Sequence, residues 1–392
     1  MKRLYLSGLE TLFWQGNDVC FIVRTPYCAN SYIDWGNSLN KHFNYTVLVQ
    51  NVRGRYGSVG DWKPYFNETK DSLIIYEFLQ SLFINEVVIL GSSYEAYCAR
   101  ILANLLSDKL NVKMVLRVGV RNQQETLFLE DSFRIADYYW WGNTHGKGKE
   151  SNFSFLPNYD KLKNKVPPIM LSPEKTVFPI VPTIIIAGWK DGYLPYAFDD
   201  FFKWKTDIKL IVGDFGHNLE GIQKIFKESE WYDDLLISGK TAIIQIENSK
   251  KVIKLSRERF SEVNEKIQKV TFSKNIIDNK KTVNDLVYIT PNQILTINLN
   301  AQKYIISIVI EHNTLSKNIF GNLIVGSISR EFIMTKGEKC TVISPLLIDV
   351  KEIKKIDLRF STSLFPRYTY ENEDSVYLSI STIKTIDLGD IQ

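Results

Sequence analysis

Apolar positions in the first half of the chain fall into short unbroken runs separated by longer segments with helical spacing. Val19 to Arg24, Thr46 to Val52, Val87 to Leu90, Lys113 to Val118, Thr183 to Ala187 and Lys209 to Val212 read as buried strands. Asp71 to Leu82 carries Leu73, Ile74, Tyr76, Phe78, Leu79 and Leu82 along one side of a helix, and Tyr94 to Leu106 is also helical. Continuous apolar strands alternating with helices predict a parallel sheet covered on both faces. Over about residues 122–172 the pattern stops. There Tyr138, Tyr139, Trp140 and Trp141 precede the polar segment Gly142 to Ser154 and then Pro157, Pro167 and Pro168, which reads as an insertion above the sheet. From about residue 236, runs such as Ala242 to Ile246, Ile294 to Leu299, Tyr304 to Ile310 and Val376 to Ile380 alternate with Asn, Lys and Gly turns, the pattern of an antiparallel β-sandwich. The expectation is an α/β domain over 1–235, with a cap insertion over about 122–172, and an all-β domain over 236–392.

Composition narrows the class. Of 392 residues, 44% are hydrophobic and 23% charged, the balance of a soluble globular chain rather than a disordered or membrane one. The net charge is only +4 and the two signs are interleaved, so there is no electrostatic footprint for nucleic acid. No run reaches the roughly 20 apolar residues of a membrane-spanning helix, so no membrane association is expected. The N-terminal Met1 to Leu6 begins like a signal peptide, but Glu10, Gln15, Asn17 and Asp18 break the apolar run and no cleavage site follows. Cys20, Cys28, Cys98 and Cys340 lack metal-ligand or CxxC spacing. A cytoplasmic protein without metal or cofactor is expected, with buried free thiols at Cys20, Cys28 and Cys98.

Candidate chemistry begins with the histidines, the usual general bases of acyl transfer. His42 precedes a strand, His145 lies in a Gly-containing loop and His312 falls within the β-rich half, and structural or solvated roles account for all three. His217 stands in Gly213-Asp214-Phe215-Gly216-His217, just past a buried strand, and parallel sheets place their sites at the carboxyl ends of strands. A nucleophile is found in Val87-Val88-Ile89-Leu90-Gly91-Ser92-Ser93-Tyr94, where Ser93 sits on a strand-to-helix turn. Such a turn frees backbone N–H groups at the helix start, each able to stabilise an oxyanion by roughly 3 kcal/mol. Asp191 follows the strand Thr183 to Ala187 through Gly188-Trp189-Lys190 and is placed to orient an imidazole. The chain order Ser93, Asp191, His217 is that of α/β-hydrolases. Each residue also has an ordinary structural reading: a helix cap at Ser92-Ser93, a turn at Asp191-Gly192, a strand end at His217.

These motifs, with several others, give the chain a resemblance to the X-Pro dipeptidyl-peptidase and cocaine-esterase-like family of α/β-hydrolases. Arg24-Thr25-Pro26-Tyr27 looks like the family's RTPY segment, and Gln50 to Arg55 with Ser58 and Gly60 like its QDVRGRG-x-S-x-G segment. Gly91 to Tyr94 is similar to its GxSY elbow, Gly188 to Asp191 to its GWxD motif, and Ser361 to Tyr368 to its SSxFPRF signature in a jelly-roll domain. The resemblance implies an α/β-hydrolase domain followed by a jelly roll. It implies Ser93 as nucleophile, His217 as base and Asp191 as orienting acid, with the oxyanion held by the Tyr27 hydroxyl and the Tyr94 N–H. Three features depart from the family: Asn51 replaces an Asp, the cap is short, and Glu95 fills a position usually held by Gly. A side chain at 95 is expected to point outward or to force the elbow helix away from the sheet.

The expected function is serine hydrolysis of an ester or peptide-type amide through an acyl-enzyme. Tyr138, Trp140, Trp141 and Trp189 are candidates for the substrate pocket, since aromatic walls are usual there, with packing of the insertion as the alternative. Glu130, Asp131 and Asp137 could recognise a substrate amine or simply be solvated. Two other readings keep the scaffold: an acyltransferase or specialised peptide-processing enzyme, and a catalytically silent binding protein, which Glu95 favours. A carbohydrate-binding role for the sandwich is opposed by its family signature. The expected partner is a small ester or peptide substrate, and the sandwich offers surfaces for a homodimer.

Overall fold

In the computed structural model, residues 1–129, 132–134, 176–220, 239–245 and 252–260 are described, together with the C-terminal segments 282–283, 286–289, 294–298, 304–312, 319–326, 328–338, 340–343, 348–349, 355–360, 367–368 and 376–386. The chain divides into two compact units. The first comprises Met1–Ile186, Lys203–Lys209 and Ser229–Gly239; the second comprises Ala187–Phe202, Leu210–Glu228 and Lys240–Gln392.

Apolar runs in the first unit become strands with little change of boundary. They are β1 (Lys2–Leu6), β2 (Leu9–Trp14), β3 (Val19–Thr25), β4 (Thr46–Asn51), β5 (Glu86–Ser92), β6 (Asn111–Arg117) and β7 (Thr183–Gly188). Their order in the sheet is β1-β2-β4-β3-β5-β6-β7. Pairings from β4 through β7 are parallel, while β2 runs antiparallel to both β1 and β4. This is the strand order of an α/β-hydrolase. The hairpin of β1 and β2 was not expected from the N-terminal pattern. Leu9–Trp14 is buried at every position, and its Glu10 is accommodated by hydrogen bonds from Asn51 Nδ2 (2.6 Å) and the Gly57 N–H (2.9 Å). Asn51 thereby acquires a reason: its amide donates to Glu10 while its oxygen accepts the Ala29 N–H at 2.7 Å. An Asp there would set two carboxylates against each other.

Helices α1 (Ile33–Phe43), α2 (Glu68–Ser81), α3 (Tyr94–Leu106) and α4 (Gln123–Leu127) connect the strands. Polar residues and a glycine hide α1 from a periodicity reading. Gly36 is needed because a Cβ there would fall 2.8 Å from the Trp14 ring. Between α2 and the sheet lies a buried ionic cluster. Arg24 contacts Glu68 at 3.1 Å and Asp71 at 3.8 Å and donates to the Glu68 carbonyl, Ser72 and Gln50; Arg53 pairs with Asp71 at 2.5 Å.

In the second unit, β8 (Ile208–Gly213, which begins in the first), β9 (Lys240–Gln245) and β10 (Val252–Ser256) lie side by side in that order, β9 and β10 antiparallel. The run near Ala242, read from sequence as the first sandwich strand, is β9 beside β8. Helix α5 (Leu194–Lys203) packs Phe198, Phe201 and Phe202 around Phe260. The later strands form two antiparallel sheets. One has the order Thr282–Val283, Leu286–Ile289, Val376–Ile386, Tyr304–His312, Cys340–Ile343; the other Ile294–Asn298, Lys355–Phe360, Ile319–Val325, Ile328–Met334. Cys20 and Cys98 are buried, Cys28 is half-buried and Cys340 exposed, all unbridged. Among the described residues, no helix is long and apolar enough to cross a membrane.

The ionic cluster yields a stability prediction. Arg24→Met removes the shared cation from two carboxylates that are almost fully buried. Breaking a buried network from one side should cost about 3–5 kcal/mol, measured by urea unfolding; a loss below about 1 kcal/mol would contradict this account of the cluster.

Candidate active site

The strand-to-helix turn after β5 places Ser93 in a conformation that side chains avoid, with φ 55° and ψ −122°. Strain of this kind, of order 1–3 kcal/mol, persists only where neighbours fix the backbone from several sides. Here the Ser93 N–H donates to the Arg117 carbonyl at 3.0 Å, and its own carbonyl accepts from Ala96 (3.0 Å) and Val120 (3.2 Å). Gly91 is the residue that allows the approach of helix to strand: a Cβ on it would lie 2.2 Å from the Glu95 carbonyl oxygen. The Tyr94 N–H opens α3 and lies 3.3 Å from the Tyr27 hydroxyl, to which it donates. Ser93, the Tyr94 amide and Tyr27, three of the sequence candidates, are thus assembled at one turn. The Tyr94 side chain points away, its hydroxyl donating to Glu68 at 2.5 Å and accepting the Tyr65 N–H at 2.8 Å. Burial and the Glu68 carboxylate push that hydroxyl well above the usual tyrosine range.

Glu95 does not point outward and does not open the elbow. It is 1% exposed, with its carboxylate folded back beneath the turn. The Tyr32 hydroxyl lies 2.8 Å from both carboxylate oxygens, the Ser92 N–H donates at 3.1 Å, and Thr25 adds a side-chain hydrogen bond. Arg117 completes the setting by donating to Ser92 Oγ at 2.8 Å. A glutamate fits here because three donors converge on it, a fact of tertiary structure rather than of local pattern. Burial nevertheless raises its carboxyl above the ordinary value, against the opposing pull of those donors and Arg117.

The acid–base candidates lie in the second unit. Asp191 is 1% exposed on the turn after β7, and its Oδ1 lies 3.0 Å from His217 Nδ1 on the turn after β8. A carboxylate at Nδ1 selects the tautomer with the proton there, so Nε2 of the neutral ring carries the lone pair. The two turns are tied by backbone bonds from Trp189 to Gly213 (2.9 Å) and from Lys190 to Phe215 (3.1 Å) and by the Lys190–Asp214 ion pair at 2.6 Å. Gly188 is required for this contact, since a Cβ would sit 2.0 Å from the Phe215 carbonyl oxygen. The Tyr193 N–H donates to Asp191 Oδ1 at 3.3 Å, and its ring lies 5.4 Å from the imidazole.

Trp189 is 1% exposed, with its indole N–H donating to the Gln245 carbonyl at 2.5 Å and its ring against Phe198. These contacts give it a packing role behind the acid turn. Sequence reading missed Arg330, a buried residue of Ile328–Met334 whose guanidinium donates to the Trp189 carbonyl at 2.6 Å and approaches that of Asp191 at 3.5 Å. Nothing local marks it, because its partners are carbonyls well over a hundred positions away. Tyr138, Trp140, Trp141, Glu130, Asp131, Asp137 and His145 lie outside the described residues, as does most of the Ser361 to Tyr368 segment.

No protein-family model matches the chain, and no curated protein does. Solved structures do. An aminopeptidase from the marine sediment archaeon Thaumarchaeota archaeon is 12% identical and has a TM-score of 0.54, the match covering 97% of this chain and 88% of that one. An α/β superfamily hydrolase from Oenococcus oeni PSU-1 (16% identical, TM-score 0.39, covering 60% of this chain and 97% of that one) and the mouse alpha/beta hydrolase domain-containing protein 10 (12%, 0.40, 60% and 94%) are more distant in shape and carry no weight here. The archaeal structure shares the fold over nearly the whole chain; at this identity the likeness is of fold alone.

Arg330→Met should leave the Trp189 carbonyl buried without this donor and cost about 1–3 kcal/mol in thermal or urea unfolding. A separate test concerns Glu95. With its folded pKa raised, the stability it contributes is fully present below its ordinary value of 4.5 and is lost as pH rises through the raised value. Glu95→Gln does not titrate, so the variant should gain in stability relative to the wild type as pH rises from the ordinary value of 4.5 through the raised one. Parallel stability curves over that range would contradict the raised pKa.

Proposed function

We propose that this protein is a serine hydrolase that cleaves an ester or peptide-type amide by way of an acyl-enzyme, with Ser93 as nucleophile, His217 as base and Asp191 as its orienting acid. The observation that carries the reading is the Ser93 backbone: a non-glycine residue held at φ 55° between strand and helix, next to a tyrosine hydroxyl 3.3 Å from the following amide. A helix cap needs neither the strain nor the tyrosine. Support comes also from the 3.0 Å Asp191–His217 bond, which leaves Nε2 as the basic nitrogen, and from the strand order of the sheet.

In the proposed cycle His217 Nε2 takes the Ser93 hydroxyl proton as Oγ attacks the carbonyl carbon. The oxyanion is received by the Tyr94 N–H and the Tyr27 hydroxyl. The imidazolium then protonates the leaving alcohol or amine, and water, deprotonated by His217, releases the acid. The archaeal structure that shares this fold is an aminopeptidase, and peptide amides are therefore to be tried beside esters as substrates. The reading extends to the C-terminal sheets as the jelly roll of the X-Pro dipeptidyl-peptidase and cocaine-esterase-like family.

Incubation with a fluorophosphonate should add one adduct by intact mass, through Oγ–P bond formation with loss of fluoride. Ser93→Ala should abolish the adduct, and His217→Ala should slow its formation about ten-thousand-fold. A folded wild type that forms no adduct, or an adduct retained in Ser93→Ala, would overturn the proposal.

A further inference from the structure

We infer that Glu95 is a positioning residue that holds the loop carrying Tyr27 against the nucleophile elbow, acting through Thr25 and Tyr32; the inference rests on the hydrolase reading of Ser93. The loop runs from the end of β3 to the 3-10 helix Ala29–Tyr32, and Glu95 touches it at both ends. At the entry, the Thr25 hydroxyl bonds to the Glu95 side chain and its oxygen accepts the Tyr27 N–H at 3.0 Å. At the exit, the Tyr32 hydroxyl sits 2.8 Å from both carboxylate oxygens. On the elbow side the same carboxylate receives the Ser92 N–H at 3.1 Å. One acceptor group therefore spans the turn that bears Ser93 and the loop that bears Tyr27.

Chemistry explains why the group is a carboxylate. Three donors arrive from three directions, and a carboxylate accepts on both oxygens, whereas an amide offers one acceptor and adds two donors. Between its tethered ends the loop is costly to hold. Cys28, the residue after Tyr27, is in the left-handed region at φ 88° and ψ 109°, a conformation that neighbours must impose. The charged and titratable groups facing Glu95 are Arg117 of β6, Tyr32 of the 3-10 helix and Cys98 of α3. With the carboxyl raised by burial, this brace is not the arrangement that stability alone would select. An oxyanion donor must be placed within a few tenths of an ångström, and the brace supplies that placement.

The test is a double-mutant cycle read by the rate of fluorophosphonate adduct formation, with thermal unfolding measured in parallel. Tyr27→Phe should slow labelling about a hundredfold. Tyr32→Phe and Glu95→Gln should each slow it about tenfold in the Tyr27 background and less than about twofold in the Tyr27→Phe background, because they act through that hydroxyl. Equal losses in both backgrounds, wild-type rates for Tyr32→Phe and Glu95→Gln, or a Tyr27→Phe variant without effect would each overturn the inference while leaving Ser93 as the nucleophile. Failure of the wild type itself to label would overturn the hydrolase reading and this inference with it. Tyr32→Phe removes only a hydroxyl from a half-buried ring, so the cycle stands even if Glu95→Gln does not fold.

Discussion

A serine held at positive φ between a strand and a helix can persist only if the backbone around it has nowhere else to go. In this protein the confinement comes from three sides. Strand β6 accepts the Ser93 amide through Arg117, α3 returns the Ala96 amide to the Ser93 carbonyl, and Gly91 lets helix and strand approach to a distance that no Cβ would allow. Much of the first unit is legible as support for this turn. The apolar strands supply a rigid sheet, and the buried Arg24–Glu68–Asp71 cluster anchors α2. Glu68 in turn receives the Tyr94 hydroxyl, so the first residue of α3 is tied into the same cluster.

Polar groups are packed tightly around the strand-to-helix turn. Glu95 is buried and is tolerated because Ser92, Thr25 and Tyr32 all donate to it. Asn51 lies opposite Glu10 and supplies it with a donor. The two sites share a logic. Each inserts a polar group beneath the loop that carries Tyr27, and each is answered by a partner from a different strand or loop. With its carboxyl raised by burial, Glu95 gives up stability as pH rises through the raised value, a trade more often found around functional turns than in cores that serve packing alone.

The acid–base pair follows another design. Asp191 and His217 sit on two turns locked edge to edge by backbone hydrogen bonds, with Gly188 removing the one Cβ that would separate them. The Arg330 guanidinium reaches the carbonyls of Trp189 and Asp191, so a strand from the C-terminal β-rich portion holds the backbone of the acid turn. Within the second unit, the β-rich portion therefore bears on the geometry of a candidate catalytic group.

The sequence by itself determined the α/β part of the fold, because continuous apolar runs and helical spacing are local signals that burial on both faces of a sheet imposes. It also pointed to Ser93, Asp191 and His217, each at the end of a strand, while Tyr27 and Tyr94 came only as what the family resemblance implied. It did not disclose the β1–β2 hairpin, the helices α1 and α5, or the place of Lys240–Gln245 beside β8, where polar residues or ambiguous short runs blur the period. Only the tertiary structure decided that Glu95 turns inward, that Asn51 serves Glu10, and that Arg330 reaches the acid turn. The physical reason is common to all three. Whether a buried polar group is stable depends on the donors and acceptors that surround it, and here those partners come from distant parts of the chain, brought near only by folding.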